Sequence, residues 1–372
     1  MNIGLTYNVR HVKPDINNPQ YIKEAEFDEP TTIRGIEKAL ADLGHKVFKV
    51  EANSGAYLKL KKIRKKIDLV FNIAEGMSGA DREAQIPAML EMLEIPYTGP
   101  KPLGYAVGLN KSVAKEILSF YKIATPEWAT VNKISYLDNF NFKHFPAIAK
   151  PLGEGSSKGI RAKNLVNDQK ELKKIVGELL HEFKQPVLVE EYLPGREFTV
   201  GVLGNPPRVL PIIEVKFDDL PKDMPKFDHY EAKWVYDNPE AKSDPLVCPA
   251  NITEALKNKI EELVLEAFRA LEIKDWARFD IRLDKKGEPH FIEVNCPPGI
   301  IPDPSENSRF PRAARTAGLD YASMIEEILK SACSRYKIKY TSSRKKSEAK
   351  KAWQIQVDKF NKQFGKLNLL KK

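Results

Sequence analysis

Apolar and polar positions alternate with two different periods in the first third of the chain. Short apolar runs at residues 2–7, 46–50 and 69–71 predict strands. Between the first two runs, apolar residues recur every three or four positions, which predicts a helix that stops at Gly44: Ile33, Ile36, Ala39, Leu40 and Leu43. Strand, helix and strand in succession indicate a small parallel sheet, so residues 1–108 are expected to form an α/β domain.

The later chain carries a different pattern. Helices are predicted over residues 111–120 and 169–182, with a strand near 147–150 between them, which makes 109–185 a small α+β unit. In 186–334 the strands come in runs around one long helix pattern, ITEALKNKIEELVLEAFRAL: VLVEEYL, FTVGVLG, PIIEVKF, ARFDIRLD and HFIEVN. Runs of strands predict an antiparallel sheet, so this part is expected to be an α+β domain.

Composition places the chain among folded proteins with a large core. It has 372 residues, of which 42% are apolar, and no apolar run approaches the ~18 residues that span a membrane. The N-terminus, MNIGLTYN, reads as a strand and lacks the pattern of a signal peptide. Three scattered cysteines without a CxxC pair argue against a disulfide framework or a cysteine zinc site. We therefore expect a cytoplasmic protein.

The net charge of +9 belongs to the end of the chain. Residues 335–372 hold 13 Lys or Arg and two acids, so the other 334 residues carry a small negative charge and are not expected to bind nucleic acid or membrane. Residues 335–352 form a basic, Ser-rich linker, and five apolar residues follow at helical spacing: Trp353, Val357, Phe360, Phe364 and Leu367. The favoured interpretation is a helix that docks on the body or on the twin subunit of a homodimer; contact with an anionic membrane or RNA is the alternative.

Oxygen ligands are concentrated at the end of the last predicted strand. Glu293 and Asn295 in HFIEVN point to the same face, just before a double proline that stops the strand. In WARFDIRLD, Arg278 and Asp280 also share a face, and only DKKGEP separates the two strands. Three oxygen ligands of the kind that Mg²⁺ prefers would therefore converge, beside an arginine able to stabilise a phosphoryl group. An exposed strand end is the alternative for HFIEVN taken alone.

Two further stretches indicate a phosphate and nucleotide site. In AKPLGEGSSKGI, Lys150 ends a strand, and the glycines with Ser156 and Ser157 can cradle phosphate oxygens through their N–H groups. A mobile hairpin with a surface lysine is the alternative, and the loop lacks the GxxxxGK[ST] pattern. In VLVEEYLPGREFTV, Glu197 can accept hydrogen bonds from ribose hydroxyls, or the segment forms a salt-bridged hairpin.

Six elements in a fixed order resemble the D-alanine–D-alanine ligase family of the ATP-grasp superfamily: Lys111, AKPLGEGSSKGI, VLVEEYLPGREFTV, YEAKW, WARFDIRLD and EVNCPPG. The resemblance spans roughly residues 68–330. It implies an ATP-grasp architecture with an N-terminal parallel-sheet domain (1–108), a central α+β subdomain (109–185) and a C-terminal antiparallel-sheet subdomain with the metal site (186–334). The basic tail, 335–372, lies outside it.

The resemblance also assigns roles to the residues of the nucleotide half. ATP would be held by Lys111 and Lys150 at the phosphates, Ser156 and Ser157 in a closing loop, Glu190, Glu191 and Leu193 at the adenine, Glu197 at the ribose, and Lys233 on a second closing loop. Two Mg²⁺ ions, or Mn²⁺, would be held by Asp280, Glu293 and Asn295. The catalytic set would be Arg278 for the transferring phosphate, Gly299 in an oxyanion pocket, and Ser156.

These parts suit an ATP-dependent carboxylate–amine ligase that works through an acyl phosphate, because a carboxylate must be activated before an amine can attack it. The first alternative is a ligase of the same superfamily for a different amino acid or peptide. The second is a non-catalytic nucleotide-binding scaffold that acts through its basic tail. The intact metal ligands and Arg278 argue against the scaffold.

Departures from the family pattern concentrate on the amino-acid side. The family's Ser-x-Glu segment is missing, and Asp28 and Glu29 stand near its place, either as substitutes or as an acidic start of the next helix. In AEGMSGADREAQ, Glu75 replaces a histidine, and Arg82 can clamp a substrate carboxylate or form an ordinary salt bridge. After Gly299, Ser305 is the candidate grip for the second substrate, with Asn307, Ser308 and Arg309 nearby.

Overall fold

The computed structural model describes residues 1–13, 24–232 and 244–343. The first sheet, here called the N-terminal sheet, has three parallel strands in the order β2-β1-β3: β1 (Asn2–Tyr7), β2 (Lys46–Glu51) and β3 (Leu69–Asn72). Helix α1 (Pro30–Asp42) covers one face, and α2 (Ala56–Ile63) and α3 (Gln85–Met92) cover the other. The central strand β1 and the strand β3 are buried on both faces, as the crossover helices of a parallel sheet require, whereas the edge strand β2 is largely half-buried or exposed.

The second sheet, here called the central sheet, is antiparallel with the order β4-β7-β5-β6. Its strands are β4 (Trp128–Val131), β5 (Ala147–Pro151), β6 (Leu165–Val166) and β7 (Val187–Glu191). Two helices precede it, α4 (Pro102–Leu109) and α5 (Lys111–Phe120), and α6 (Gln169–Phe183) packs on one of its faces through Leu172, Ile175, Val176 and Leu179. Asp168 caps α6 by accepting from the N–H groups of Lys170 and Glu171.

The third sheet, here called the C-terminal sheet, is antiparallel with the order β11-β10-β8-β12-β13, and β9 pairs with β8. Its strands are β8 (Glu197–Leu203), β9 (Arg208–Val209), β10 (Ile213–Val215), β11 (Leu246–Val247), β12 (Trp276–Leu283) and β13 (Pro289–Asn295). Helix α7 (Glu254–Ala270) packs on this sheet together with α4 and α5. The last helices, α8 (Arg309–Thr316) and α9 (Tyr321–Arg335), share a core with the N-terminal sheet and so join the two ends of the described chain.

The structure confirms the parallel N-terminal sheet and the antiparallel sheets that follow it. One strand was assigned to the wrong sheet: VLVEEYL does not open the C-terminal sheet, because β7 pairs with β4 and β5 of the central sheet. The chain crosses between sheets only at the turn that follows, where Gly195 N–H donates to Leu283 O over 3.0 Å. Chain order cannot reveal this, since an antiparallel strand can pair on either side of a turn. No helix among the described residues is long and apolar enough to cross a membrane.

Candidate active site

A cleft of about 610 Å³ opens where β7 leaves the central sheet and β8 enters the C-terminal sheet. Side chains from both sheets and from two loops line it: Ile148, Lys150, Ser157, Ile160, Glu190, Glu191, Tyr192, Leu193, Glu197, Phe227, Asp228, Asp280, Arg282, Ile292 and Glu293. Apolar walls with a few convergent charges are typical of a small-molecule site. Eight of the predicted ligand-binding positions lie in this lining, although the sequence scatters them from 150 to 293.

The predicted metal ligands meet at one end of the cleft. In the register of β12 and β13, Asp280 stands opposite Glu293 and Arg278 opposite Asn295. Asn295 Nδ2 donates to Asp280 Oδ2 over 3.2 Å, and Arg278 donates to both oxygens of Asp280 at 3.1 and 2.9 Å. The neighbouring strand β8 adds the Thr199 hydroxyl, which donates to Asp280 Oδ1 over 2.7 Å.

Asp280 is held as an anion. Burial raises its pKa, but the guanidinium groups of Arg278 and Arg309 and the hydrogen bonds from Arg278 and Thr199 outweigh burial, so the net pKa lies below its usual value. Among residues 1–13, 24–232 and 244–343, no group of three or more His, Cys, Asp or Glu is arranged to hold a metal ion. A divalent cation here would therefore use two carboxylates, the Asn295 carbonyl and oxygens of the substrate, a donor set that fits Mg²⁺.

Three buried residues form an ion cluster beside the loop at residues 153–159, here called the Gly/Ser loop. Lys150 Nζ pairs with Glu190 Oε1, and Lys115 Nζ lies 3.1 Å from Glu190 Oε2. Lys115 also donates to Thr125 Oγ1 over 2.6 Å. Burial raises the pKa of Glu190, but the two lysines outweigh it and hold the pKa below its usual value. Sequence reasoning missed Lys115, although its place four residues after Lys111 puts both lysines on one face of α5.

The remaining phosphate-side candidates lie around this cluster. Lys111 Nζ donates to Glu154 O over 2.6 Å and lies 3.8 Å from Glu293 Oε2, so it stands between the Gly/Ser loop and the predicted metal ligands. Ser156 and Ser157 both have left-handed backbone conformations, with φ of 51° and 59°. Such a conformation is uncommon for a residue with a side chain and marks a loop under local strain.

The ribose candidate, Glu197, is fixed by an arginine that sequence reasoning did not select. Arg282 Nη1 donates to Glu197 Oε2 over 2.5 Å, and its Nε donates to Leu193 O over 2.5 Å. Burial raises the pKa of Glu197 to about 7, partly opposed by Arg282. Because i and i+2 share a face of β12, Arg282 continues the row that begins with Arg278 and Asp280. Glu191 is half-buried and faces the same cleft.

Two loops meet over the cleft. Ser157 Oγ donates to Asp228 O over 3.0 Å, and Tyr230 N–H donates to Ile160 O over 2.8 Å. The Asp228 carboxylate forms an ion pair of 2.9 Å with Arg309 at the start of α8. These contacts hold the Gly/Ser loop against residues 227–231, so the cleft has a roof. Lys233, the predicted phosphate ligand on the second loop, lies outside the described residues, as does the tail helix at 353–367.

The N-terminal segment reaches the Gly/Ser loop through a residue that was not predicted. Glu26 Oε1 accepts from Gly155 N–H over 2.6 Å, and Glu26 Oε2 accepts from Arg82 over 2.5 Å. Arg82 also donates to Gly153 O over 2.7 Å. Both terminal nitrogens of the Arg82 guanidinium group therefore have partners within the protein, one a side chain and the other a backbone carbonyl. The signal in the sequence was only an acidic residue two positions before Asp28.

The other residues predicted to bind the amino-acid substrate, Asp28, Glu29 and Ser305, do not line the cleft. Glu29 is exposed at the N-cap of α1, and its carboxylate forms an ion pair of 3.4 Å with Arg10. The backbone of Asp28 forms an isolated parallel β-bridge with Val9. Burial, opposed by Arg10 and reinforced by Glu29, raises the pKa of Asp28 to about 7. Ser305 is exposed and donates to Asp303 over 2.7 Å, so the structure does not bring it to the cleft. Ser308 is the serine that contacts the Gly299 loop, donating to Gly299 O over 3.3 Å.

Comparison with known proteins agrees with this geometry. A family model described as D-ala D-ala ligase C-terminus matches residues 109–330, more than half of the chain. A D-alanine–D-alanine ligase of Aquifex aeolicus (strain VF5) is 35% identical over 300 residues, covering 80% of this chain and 93% of that protein. The chain belongs to the D-alanine–D-alanine ligase family. It is therefore an ATP-dependent ligase that forms a carbon–nitrogen bond.

The family includes relatives without an assigned activity. The uncharacterized protein y4sG of Sinorhizobium fredii (strain NBRC 101917 / NGR234) is 33% identical over 305 residues, covering 80% of this chain and 86% of that protein. Among solved structures, the D-alanine–D-alanine ligase of Bacillus anthracis matches with a TM-score of 0.65 at 22% identity, covering 91% of this chain and 99% of that one. Its complex with ATP matches with a TM-score of 0.64. These likenesses confirm the ATP-grasp fold that the motifs predicted.

Proposed function

We propose that the protein joins a carboxylate to an amine at the expense of ATP, through an acyl phosphate, and that its substrates are amino acids or peptides. The observation that carries the proposal is the register of β12 and β13, which sets Asp280 opposite Glu293 and Arg278 opposite Asn295 at the end of the cleft. Oxygen ligands beside an arginine are what transfer of a phosphoryl group to a carboxylate needs, because negative charge must be neutralised on both sides.

Each group of the cleft has a role in this reaction. Ile148, Leu193 and Ile292 offer an apolar slot for the adenine ring, and Glu197 offers its carboxylate to the ribose hydroxyls. Lys111 and Lys150 hold phosphate oxygens, and Asp280, Glu293 and Asn295 hold Mg²⁺. The bound metal would neutralise phosphate charge. The roof formed by Ser157, Ile160 and residues 227–231 excludes water from the acyl phosphate.

The reaction then proceeds in two transfers. A substrate carboxylate oxygen attacks the γ-phosphorus, the bridging bond to ADP breaks, and Arg278 stabilises the charge that develops on the transferred group. The amine of the second substrate attacks the activated carbonyl carbon, and phosphate leaves as the amine loses a proton. In this proposal Gly299, which is exposed after the double proline, donates its N–H to the developing oxyanion.

D-Alanine is the substrate that the names of the relatives suggest, but one observation favours a different amino acid or peptide. Glu26 and Arg82, the charged pair next to the Gly/Ser loop, bind each other and the backbone of that loop. If Glu26 keeps these contacts, it cannot also offer both oxygens to an ammonium group. Glu75 and Glu83 add two half-buried carboxyl groups to the same side, and burial raises the pKa of both, that of Glu83 to about 8, so the hydrogen-bonding groups that the substrate meets are altered.

We also propose a cytoplasmic location and a homodimeric assembly. The three cysteines are all free, which supports the cytoplasm, where thiols stay reduced. The amphipathic pattern of 353–367 supports a homodimer in which the tail docks on the body or on the twin subunit.

ADP release tests the proposal. The enzyme is mixed with ATP, Mg²⁺ and a panel of single amino acids and pairs, including both enantiomers of alanine, and products are identified by mass. Glu293→Gln is expected to abolish release, whereas Glu288→Gln, an exposed glutamate near the start of the same hairpin strand, is expected to leave it unchanged. Release with D-alanine and formation of the dipeptide identify the substrate. Turnover that survives in Glu293→Gln would contradict the proposed metal site.

A further inference from the structure

Glu190 holds two lysines, one on each carboxylate oxygen. Lys150 comes from β5 and faces the cleft, whereas Lys115 comes from α5, is fully buried and does not line the cleft. Thr125 fixes Lys115 from a third direction, with 2.6 Å between Nζ and Oγ1. We call Lys115, Glu190 and Lys150 the lysine–glutamate trio.

From this geometry we infer that Lys115 is a positioning residue for nucleotide binding: it gives Glu190 a second counter-ion, so that Lys150 can leave Glu190 and bind the phosphates. The inference rests on the proposed function, since it concerns the ATP site of that reaction. Lys115 acts through Glu190 and Lys150, because no atom of it lines the cleft.

The first argument is charge. One carboxylate between two ammonium groups leaves the trio with one positive charge, and a negatively charged triphosphate is attracted to that charge. With Lys115 removed, Glu190 and Lys150 would neutralise each other, and the net attraction would disappear. The surroundings strengthen the effect, because Lys115 and Glu190 are almost without contact with solvent and are screened little.

The second argument is exchange of partners. Lys150 cannot bind a phosphate oxygen with full strength while its Nζ is paired with Glu190 Oε1. If it turns toward the phosphate, a buried carboxylate loses a counter-ion, which is costly unless another cation remains. Lys115 remains on Oε2 and keeps Glu190 paired. The second lysine therefore lowers the cost of moving the first.

The alternative is a structural role, in which Lys115 only ties α5 to β7. The two roles differ in which part of the nucleotide they affect. A charge that attracts phosphates changes the binding of ATP but not of adenosine, whereas a loosened cleft weakens both. The ratio of the adenosine dissociation constant to that of Mg-ATP isolates the phosphate contribution, and this ratio cancels effects on the adenine pocket.

The experiment measures both dissociation constants by calorimetry for the full-length wild type, Lys115→Met, Glu190→Gln and the double variant. Lys122→Met, at an exposed lysine just after the same helix, is the matched control. We expect the ratio to fall about tenfold in Lys115→Met, because one charge is lost. It is expected to rise in Glu190→Gln, which adds a net positive charge, and to return near the wild-type value in the double variant.

Each outcome decides something. An unchanged ratio in a folded Lys115→Met protein, or equal weakening of adenosine and ATP, overturns the inference. If Lys115→Met does not fold, Glu190→Gln decides alone, and an unchanged ratio there counts equally against it. A wild type that binds neither adenosine nor Mg-ATP contradicts the proposed function itself, which separates the two failures.

Discussion

Glu26 and Gly155 are 129 positions apart in the chain, yet the carboxylate of the first accepts from the backbone N–H of the second over 2.6 Å. Arg82 completes the contact by pairing with Glu26 and donating to Gly153 O. The N-terminal segment thus holds the Gly/Ser loop directly. In the proposed reaction, closure of the loop over ATP would thereby be coupled to the N-terminal segment, where the amino-acid substrate is expected to bind.

Replacing Glu26 tests this coupling. Glu26→Gln keeps the size of the side chain but weakens both the ion pair with Arg82 and the charge-assisted hydrogen bond to Gly155. We expect the KM for the amino-acid substrate to rise about tenfold or more, with a smaller change in the KM for ATP. Steady-state ADP release measures both constants. Glu29→Gln, at an exposed position, is the control, and a larger effect there than at Glu26 would restore Glu29 as the substrate ligand.

Thr199 is expected to orient Asp280, the proposed metal ligand. Thr199→Val removes the 2.7 Å hydrogen bond to Asp280 Oδ1 and leaves a buried carboxylate oxygen less satisfied, at a cost of about 1–3 kcal/mol. We expect a lower Tm and a several-fold lower kcat, because the carboxylate loses its fixed orientation. Thr130→Val is the matched control, since the Thr130 hydroxyl is buried without a hydrogen-bond partner among the described residues. Equal effects of the two substitutions would argue against this role.

Arg282 is expected to matter for ATP and not for the amino acid. It binds Glu197, Leu193 O and the Tyr192 hydroxyl at once, an arrangement that the single ammonium group of lysine cannot reproduce. Arg282→Lys should raise the KM for ATP about tenfold, because Glu197 is no longer held toward the ribose. Arg269→Lys, on the exposed side of α7, should change nothing. A rise in the amino-acid KM alone would show that Glu197 faces a different substrate.

The pH dependence of ATP binding provides a separate test of Lys115. Burial, opposed by Glu190 and Glu293 and reinforced by Lys150, lowers the pKa of Lys115 to about 8. Thr125 also faces the ammonium group and accepts a hydrogen bond from it. Above this pH the lysine loses its charge, so ATP affinity should fall between pH 7 and 9 in the wild type. The fall should be smaller in Lys115→Met. Calorimetry at pH 7 and pH 9 measures the ATP affinity of both proteins. An equal fall in affinity in the two proteins would exclude titration of Lys115 as the cause.

The same shift has a consequence for stability, with a definite sign. An unfolded lysine keeps its proton up to about pH 10.4, whereas the folded one releases it near pH 8. The unfolded state therefore binds more protons in this interval, so the contribution of Lys115 to the free energy of unfolding rises with pH between these values. Urea unfolding of the wild type and Lys115→Met at pH 7 and pH 9 compares the two, and a difference of the opposite sign would refute the assignment.

The periodic elements and the ATP-dependent ligase chemistry could be predicted from short stretches of the chain. Asp280, Glu293 and Asn295 could be placed together because two strands with a six-residue connection must pair, and pairing fixes which side chains share a face. Lys150 and Glu197 could be selected because each belongs to a short motif whose parts are close in the chain, and both line the cleft.

Contacts between distant segments required the folded structure. Glu26 contacts Gly155, Lys115 contacts Glu190, and β7 joins the central sheet. The local sequence places Lys115 on the same helix face as Lys111, but it does not name Glu190 as the partner, nor does it distinguish Glu26 from Asp28 or one sheet from the next. Local periodicity specifies the face on which a side chain lies, but contacts between segments depend on how whole sheets and helices pack. That packing depends on the burial of all the cores together, which no short stretch of sequence encodes.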